Sequence, residues 1–211
     1  LCEKMEQWDR VAELLAEQIE IEGDEDEAAE MTVKLSQILA DKLDRGDEAL
    51  AALTELADTG DTGIRTAYVE LGDRLGWKGI VAQKLCDWWF EAKHGNDRTA
   101  ALRGAFDRFA EVGRDADAAR VAIELIRIKA GNKPLAERLE DLALKTSDHD
   151  ALSIAHDLLA REVSGGERAL ELVRQAEVRV RAGMPRNEAL QHGEAGLTSI
   201  SPTEAEPLLE R

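Results

Sequence analysis

Aromatic side chains make up only 4% of this 211-residue chain, and it holds four prolines and two cysteines. Cys2 and Cys86 lie far apart and belong to no CxxC pair, so they read as small apolar residues rather than a disulfide or zinc framework. Nothing in their usage points to an oxidising compartment, and a cytoplasmic setting is favoured. No stretch approaches the roughly 20 apolar residues that a membrane-spanning helix needs. Alternating apolar and polar runs are missing and β-branched runs are few, which argues against a sheet. Glycines fall at segment ends and never at phosphate-binding spacing, and Ser153, Ser164 and Ser199 stand in no nucleophile elbow. Positive charge is also short. With 27 basic against 44 acidic side chains the net charge is −17, so a phosphate backbone or an anionic bilayer would repel the chain. Nucleic acid and membrane are therefore not expected as partners.

What remains is Ala and Leu with Glu, Asp, Arg and Lys between them, the composition of helix seams and helix surfaces. The expected class is all-α. One stretch returns: Asp47-Glu48-Ala49-Leu50, then Asp117-Ala118-Ala119-Arg120, then Asn187-Glu188-Ala189-Leu190, each copy 70 residues after the last. Each follows a glycine-containing turn, at Gly46, Gly113 and Gly183, and each opens an amphipathic run. A period of this size is the mark of stacked repeats. Trp77-Lys78-Gly79-Ile80 likewise repeats Trp8-Asp9-Arg10-Val11.

Taken in order, Leu1 to Met5 reads as the end of one helix and Trp8 to about Glu22 as the next, closed by Gly23. Asp24 or Asp26 can cap a helix whose apolar stripe holds Ala28, Met31, Leu35, Ile38, Leu39 and Leu43. Further helices are expected over 47–58, 64–75, from Trp77 to a stop at Gly95, from there to about Val112, and over 115–129. Others follow over 135–144, 149–162 and 167–181, with a restart at Pro185 and another at Pro202. That makes about twelve helices of 11 to 20 residues in five to six hairpin units. They form one repeat domain over 1–211, with double repeats at 8–76, 77–148 and 149–211. Short links force neighbouring helices to lie antiparallel and adjacent. The chain starts without Met inside an apparent helix, which reads as a piece of a longer repeat protein whose cut ends could associate end to end.

These features resemble tetratricopeptide repeats over essentially the whole chain. Leu35-Ser36-x2-Leu39 is similar to the first-helix signature, Ala49-x3-Leu53 to the A-x3-F of the second helix, and Leu75-Gly76-Trp77 to the turn that ends a first helix. The resemblance implies a right-handed α-solenoid of antiparallel hairpins whose first helices line a concave groove for a peptide or partner protein. On that reading the groove-facing polar positions are Glu30, Lys34, Gln37 and Asp41, then Asp73, then Arg103 and Asp107. The expected function is a protein–protein interaction scaffold, with no cofactor and no catalysis. The alternatives are a structural spacer or a regulatory helical domain within a larger multidomain protein.

Three local features stand outside the period. Trp88-Trp89-Phe90 cannot all face one seam at about 100° per residue, so the trio either fills gaps between layers or presents Trp89 as a binding anchor. Asp148-His149-Asp150 with His156 and Asp157 is the one cluster with metal-ligand chemistry. Its two histidines are seven apart, too far for one zinc, and helix capping by Asp148 beside exposed histidines explains it better. His94 and His192 lie at helix ends with no matching partners. Finally, residues 1–76 hold 21 acidic and 7 basic side chains, while 77–211 hold 23 and 20. The acidic end is either a well-solvated surface or a docking surface for a basic partner.

Overall fold

The computed structural model describes residues 2–91, 95–163, 165–189 and 191, without the side chains at 2–6, 90, 91, 95–97, 165 and 166. The readings at His94, Ser164, His192, Ser199 and Pro202 lie outside the described residues. The rest is all-α, with no strand among the described residues. The helices are α1 (Cys2–Ile21), α2 (Glu25–Lys42), α3 (Gly46–Asp58), α4 (Thr62–Arg74), α5 (Lys78–Glu91), α6 (Gly95–Glu111), α7 (Asp115–Arg127), α8 (Lys133–Thr146), α9 (His149–Glu162) and α10 (Gly165–Arg181). Residues 186–189 begin another. Among the described residues no helix is long and apolar enough to cross a membrane.

The chain divides into two compact units, 1–93 with α1 to α5 and 94–211 with α6 to α10. Inside each, every helix packs on the helix before and after it; α2 also meets α4, and α7 meets α9. Three pairs of corresponding helices match in length. Both α3 and α7 have 13 residues and start 69 apart, α5 and α9 have 14 and start 71 apart, and α6 and α10 have 17 and start 70 apart.

The turns repeat as well. Most helices end on a residue with left-handed backbone: Asp44 (φ 54°), Gly113 (72°) and Gly183 (93°) at one place in the period, Gly76 (76°) and Ser147 (55°) at another, and Lys129 (60°). The next N–H then reaches back over the turn, as from Arg45 to the Leu39 carbonyl (2.8 Å), Trp77 to Gly72 (2.8 Å), Arg114 to Phe109 (2.9 Å) and Asp148 to Ala143 (2.9 Å). This closure satisfies carbonyls that the helix end leaves open, and it aims the chain back for the next antiparallel helix.

Several expectations are corrected here. Met5 and Trp8 do not belong to separate helices, because α1 runs unbroken through a stretch without Gly or Pro. Gly95 is the first residue of α6 rather than a stop. Gly46 is the first residue of α3, and Asp44 makes the turn. Gly46 is needed for a different reason: a Cβ there would stand 2.9 Å from Leu75 Cδ1, so glycine lets the end of α4 close onto the start of α3. Gly72 is tighter still, its Cβ position 2.3 Å from Val81 Cγ2, and it sets the approach of α4 to α5.

Side-chain caps start α2, α4, α8 and α9. Asp24, Asp61, Asn132 and Asp148 each accept a backbone N–H of the first turn, as in Asp61 Oδ1 from Ile64 N at 2.8 Å. The repeated helices α3 and α7 begin differently, at Arg45 and Arg114 without a side-chain cap. Each guanidinium instead pairs with the carboxylate three residues on, Arg45 Nε to Glu48 at 2.6 Å and Arg114 Nε to Asp117 at 2.6 Å. Burial pushes the Asp117 carboxyl up, but hydrogen bonds from Arg120 and Arg114 and their charges bring it below its ordinary value.

Where α3, α4 and α5 meet, Trp88 is buried at 3% and donates Nε1–H to Asp58 at 2.9 Å. Lys84 bonds the same carboxylate at 2.7 Å, Arg65 lies 4.8 Å above the Trp88 ring, and Tyr68 meets that ring edge-on at 5.4 Å. Burial raises the Asp58 carboxyl, yet the bonds from Lys84 and Trp88 and the Lys84 and Arg65 charges leave it below the usual carboxylate range. The Tyr68 phenol is pushed up, first by burial and then by the Asp58 and Asp87 charges.

Candidate partner-binding surface

The surface on α2 follows from its stripe. Thr32, Leu35, Ser36 and Leu39 are buried, and the two hydroxyls are satisfied by carbonyls of their own helix, Thr32 to Ala28 and Ser36 to Val33, both at 2.8 Å. Spacing of 4, 3 and 4 then carries Glu30, Lys34, Gln37 and Asp41 onto one exposed row. Within it Lys34 and Glu30 are 3.7 Å apart, with side chains 62% and 78% exposed. An exposed i,i+4 pair of this kind contributes about 0.3–0.5 kcal/mol, little enough for a partner to displace.

Asp41 is tied across to the next first helix by Arg74 at 3.1 Å, so the row continues from α2 onto α4. Asp73 lies one residue away and is half-buried. In the other unit Arg103 and Asp107 are both exposed on α6. Arg103 donates to the Ala130 carbonyl at 3.2 Å, and Asp107 pairs with Arg138 of α8 at 3.1 Å. The Arg138 guanidinium stacks 4.4 Å above the Phe106 ring. These side chains edge a crevice of about 210 Å³ whose apolar wall includes Phe106, Leu125 and Leu135.

The residues that sequence reasoning missed are Arg74 and Arg138. Each is the arginine of a first helix that holds a carboxylate of the preceding first helix, 33 and 31 residues upstream. Opposite charges one hairpin apart were the available signal. Trp89 is a correction: its ring is 7% exposed, so it does not offer an open anchor, and Trp88 is deeper still. The side chain of Phe90 lies outside the described residues.

His156 is also a correction, buried at 3% rather than exposed. Its Nδ1 is 2.8 Å from Glu171 of α10, which Arg174 also holds at 2.7 Å, and its Nε2 is 3.9 Å from Glu140 of α8. The ring therefore links α8, α9 and α10. His149 is exposed, and Asp148 caps α9. Among the described residues no three His, Cys, Asp or Glu side chains come together in a way that could hold a metal ion.

Compared with models of known protein families, with curated proteins and with solved structures, the chain matches none.

Proposed function

We propose that this chain is a protein–protein interaction scaffold built from hairpins of the tetratricopeptide kind, stacked as in a right-handed α-solenoid. Its first helices present the partner-binding rows. In the unit of α1 to α5 the row is Glu30, Lys34, Gln37 and Asp41 with Asp73. In the unit of α6 to α10 it is Arg103 and Asp107. The observation that carries the reading is the cross-tie between successive first helices, Asp41 to Arg74 and Asp107 to Arg138. Such ties fix the spacing of neighbouring helices while the polar groups beside them stay exposed, as a surface that reads an extended segment requires. The rows mix charges of both signs, so a peptide with alternating basic and acidic side chains fits them better than a uniformly charged one.

The test is affinity capture of a partner by the whole chain and by two variants. One carries Glu30, Lys34, Gln37 and Asp41 all changed to Ala; the other carries Glu25→Ala and Glu27→Ala in the first turn of α2. Capture lost only with the first supports the row. Capture unchanged by both moves the site elsewhere, and the spacer reading expects no specific capture by any of the three.

A further inference from the structure

Nine large apolar side chains stay exposed among the described residues, and four of them, Trp8, Val11, Leu14 and Ile21, are on α1. Of the other five, Ile80, Leu144 and Val180 each stand alone on a helix, and Val112 and Ile128 lie one residue past the ends of α6 and α7. Trp8 stands in line with Ala12, Leu15 and Ile19, and at about 100° per residue Val11, Leu14 and Ile21 share another face with Gln7 and Gln18 at spacing 4, 3, 4 and 3. This is not the face that α1 turns to α2, where Ala12 is buried and Leu15 and Ile19 are half-buried. Ile21 is 83% exposed and Leu14 43%. Alongside runs an exposed row of carboxylates, Glu13, Glu17 and Glu20. The one cation in that row, Arg10, is already bonded to Glu13 at 2.8 Å. At the other edge Lys42 lies 5.7 Å over the Trp8 ring.

The geometry points to α1 as a docking site for an amphipathic helix that carries an apolar stripe at the same 3–4 spacing and Lys or Arg along one side of it. The stripe supplies the buried seam, and the Glu13, Glu17 and Glu20 row decides the sign of the partner's flank and its direction. A second copy of this chain fits less well. It would bring two acidic rows into one layer, on a region with 21 acidic and 7 basic side chains in residues 1–76. The site is separate from the row on α2, so each can fail without the other.

The experiment is isothermal titration calorimetry of the whole chain with a synthetic Leu/Lys helix of 20 residues, the length of α1, and with its Leu/Glu twin. The Leu/Lys helix is expected to bind with a Kd at least tenfold lower than the twin. Ile21→Glu, at a position too exposed to disturb the fold, is expected to weaken it about tenfold, and the pair Glu17→Lys and Glu20→Lys about fivefold or more. Glu25→Lys with Glu27→Lys, equally acidic but on the first turn of α2, should leave it unchanged. Binding that ignores Ile21→Glu, or that falls as far with the α2 pair, would overturn the proposal. So would sedimentation showing a dimer that Ile21→Glu converts to monomer, because the face would then belong to a second copy.

Discussion

The corner where α3, α4 and α5 meet and its counterpart between α7, α8 and α9 are built from helices of nearly the same length in the same order, but from different side chains. Asp58 ends α3 and Arg127 ends α7. Arg65 and Tyr68 of α4 correspond to Ala136 and Leu139 of α8, and Lys84 and Trp88 of α5 to Ala155 and Leu159 of α9. In the first unit, long side chains span the gap between helices and converge on one carboxylate. In the second, Ala118, Ala122, Ala136 and Ala155 are without exposure, so short side chains line the corresponding seam. In this unit α7 also packs directly on α9. The period therefore fixes where helices start and turn, while the means of holding them together is free to vary from unit to unit.

Substitutions can push each unit toward or away from the other's solution. The largest effect is expected from Leu53→Asp, at a fully buried seam position of α3 that corresponds to Ala122 of α7. An unpaired carboxylate there should cost about 4 kcal/mol or more. All four tryptophans lie in residues 1–93, so thermal unfolding followed by tryptophan emission reads that unit directly. A transition unchanged from the wild type would refute the seam assignment. Next comes Trp88→Ala, which removes the ring that Tyr68 and Arg65 contact and one donor to Asp58. A loss of about 3–5 kcal/mol is expected, against about 2–5 kcal/mol for Leu159→Ala, its counterpart in α9. Equal losses would mean that the aromatic cluster adds nothing beyond its bulk. Smaller again is Leu139→Tyr, which places a phenol where no Asp58 exists; overpacking should cost about 1–3 kcal/mol, read by circular dichroism. If the variant is as stable as the wild type, the alanine seam is looser than its burial implies.

Much of this was legible in the sequence, and what was not shares one cause. The α9 boundaries, the Asp24 and Asp148 caps and the 70-residue spacing all depend on residues a few positions apart, where side-chain chemistry and backbone geometry are directly coupled. The row on α2 was readable for the same reason, since one helix fixes it. Trp88 was ambiguous because its partner Asp58 lies 30 residues upstream, and only packing brings the two together. Arg74 and Arg138 escaped notice likewise. Gly46 misled because a glycine before a helix usually marks a turn, whereas here it makes room for Leu75 from another hairpin. His156 looked exposed because nothing within its own helix reveals that Glu171 and Glu140 close over it.

The finest comparison uses Tyr68, the chain's single tyrosine, whose place in the second unit is taken by Leu139. Burial, then the Asp58 and Asp87 charges, favours the neutral phenol and raises its ionisation above the ordinary value. A group raised in the folded state contributes stability that is whole below its unfolded value, about 10, and that disappears as pH rises through the folded one. The first unit should thus lose stability at alkaline pH through this group, and the second has no tyrosine to do the same. Phenolate absorbance reports Tyr68 alone, and its midpoint should fall on denaturation. Asp58→Asn removes one of the two nearby charges but keeps an amide oxygen for Trp88, so it should lower the midpoint slightly without abolishing the indole bond. A midpoint indifferent to that change would leave burial as the sole cause and take the carboxylate out of the cluster's electrostatics.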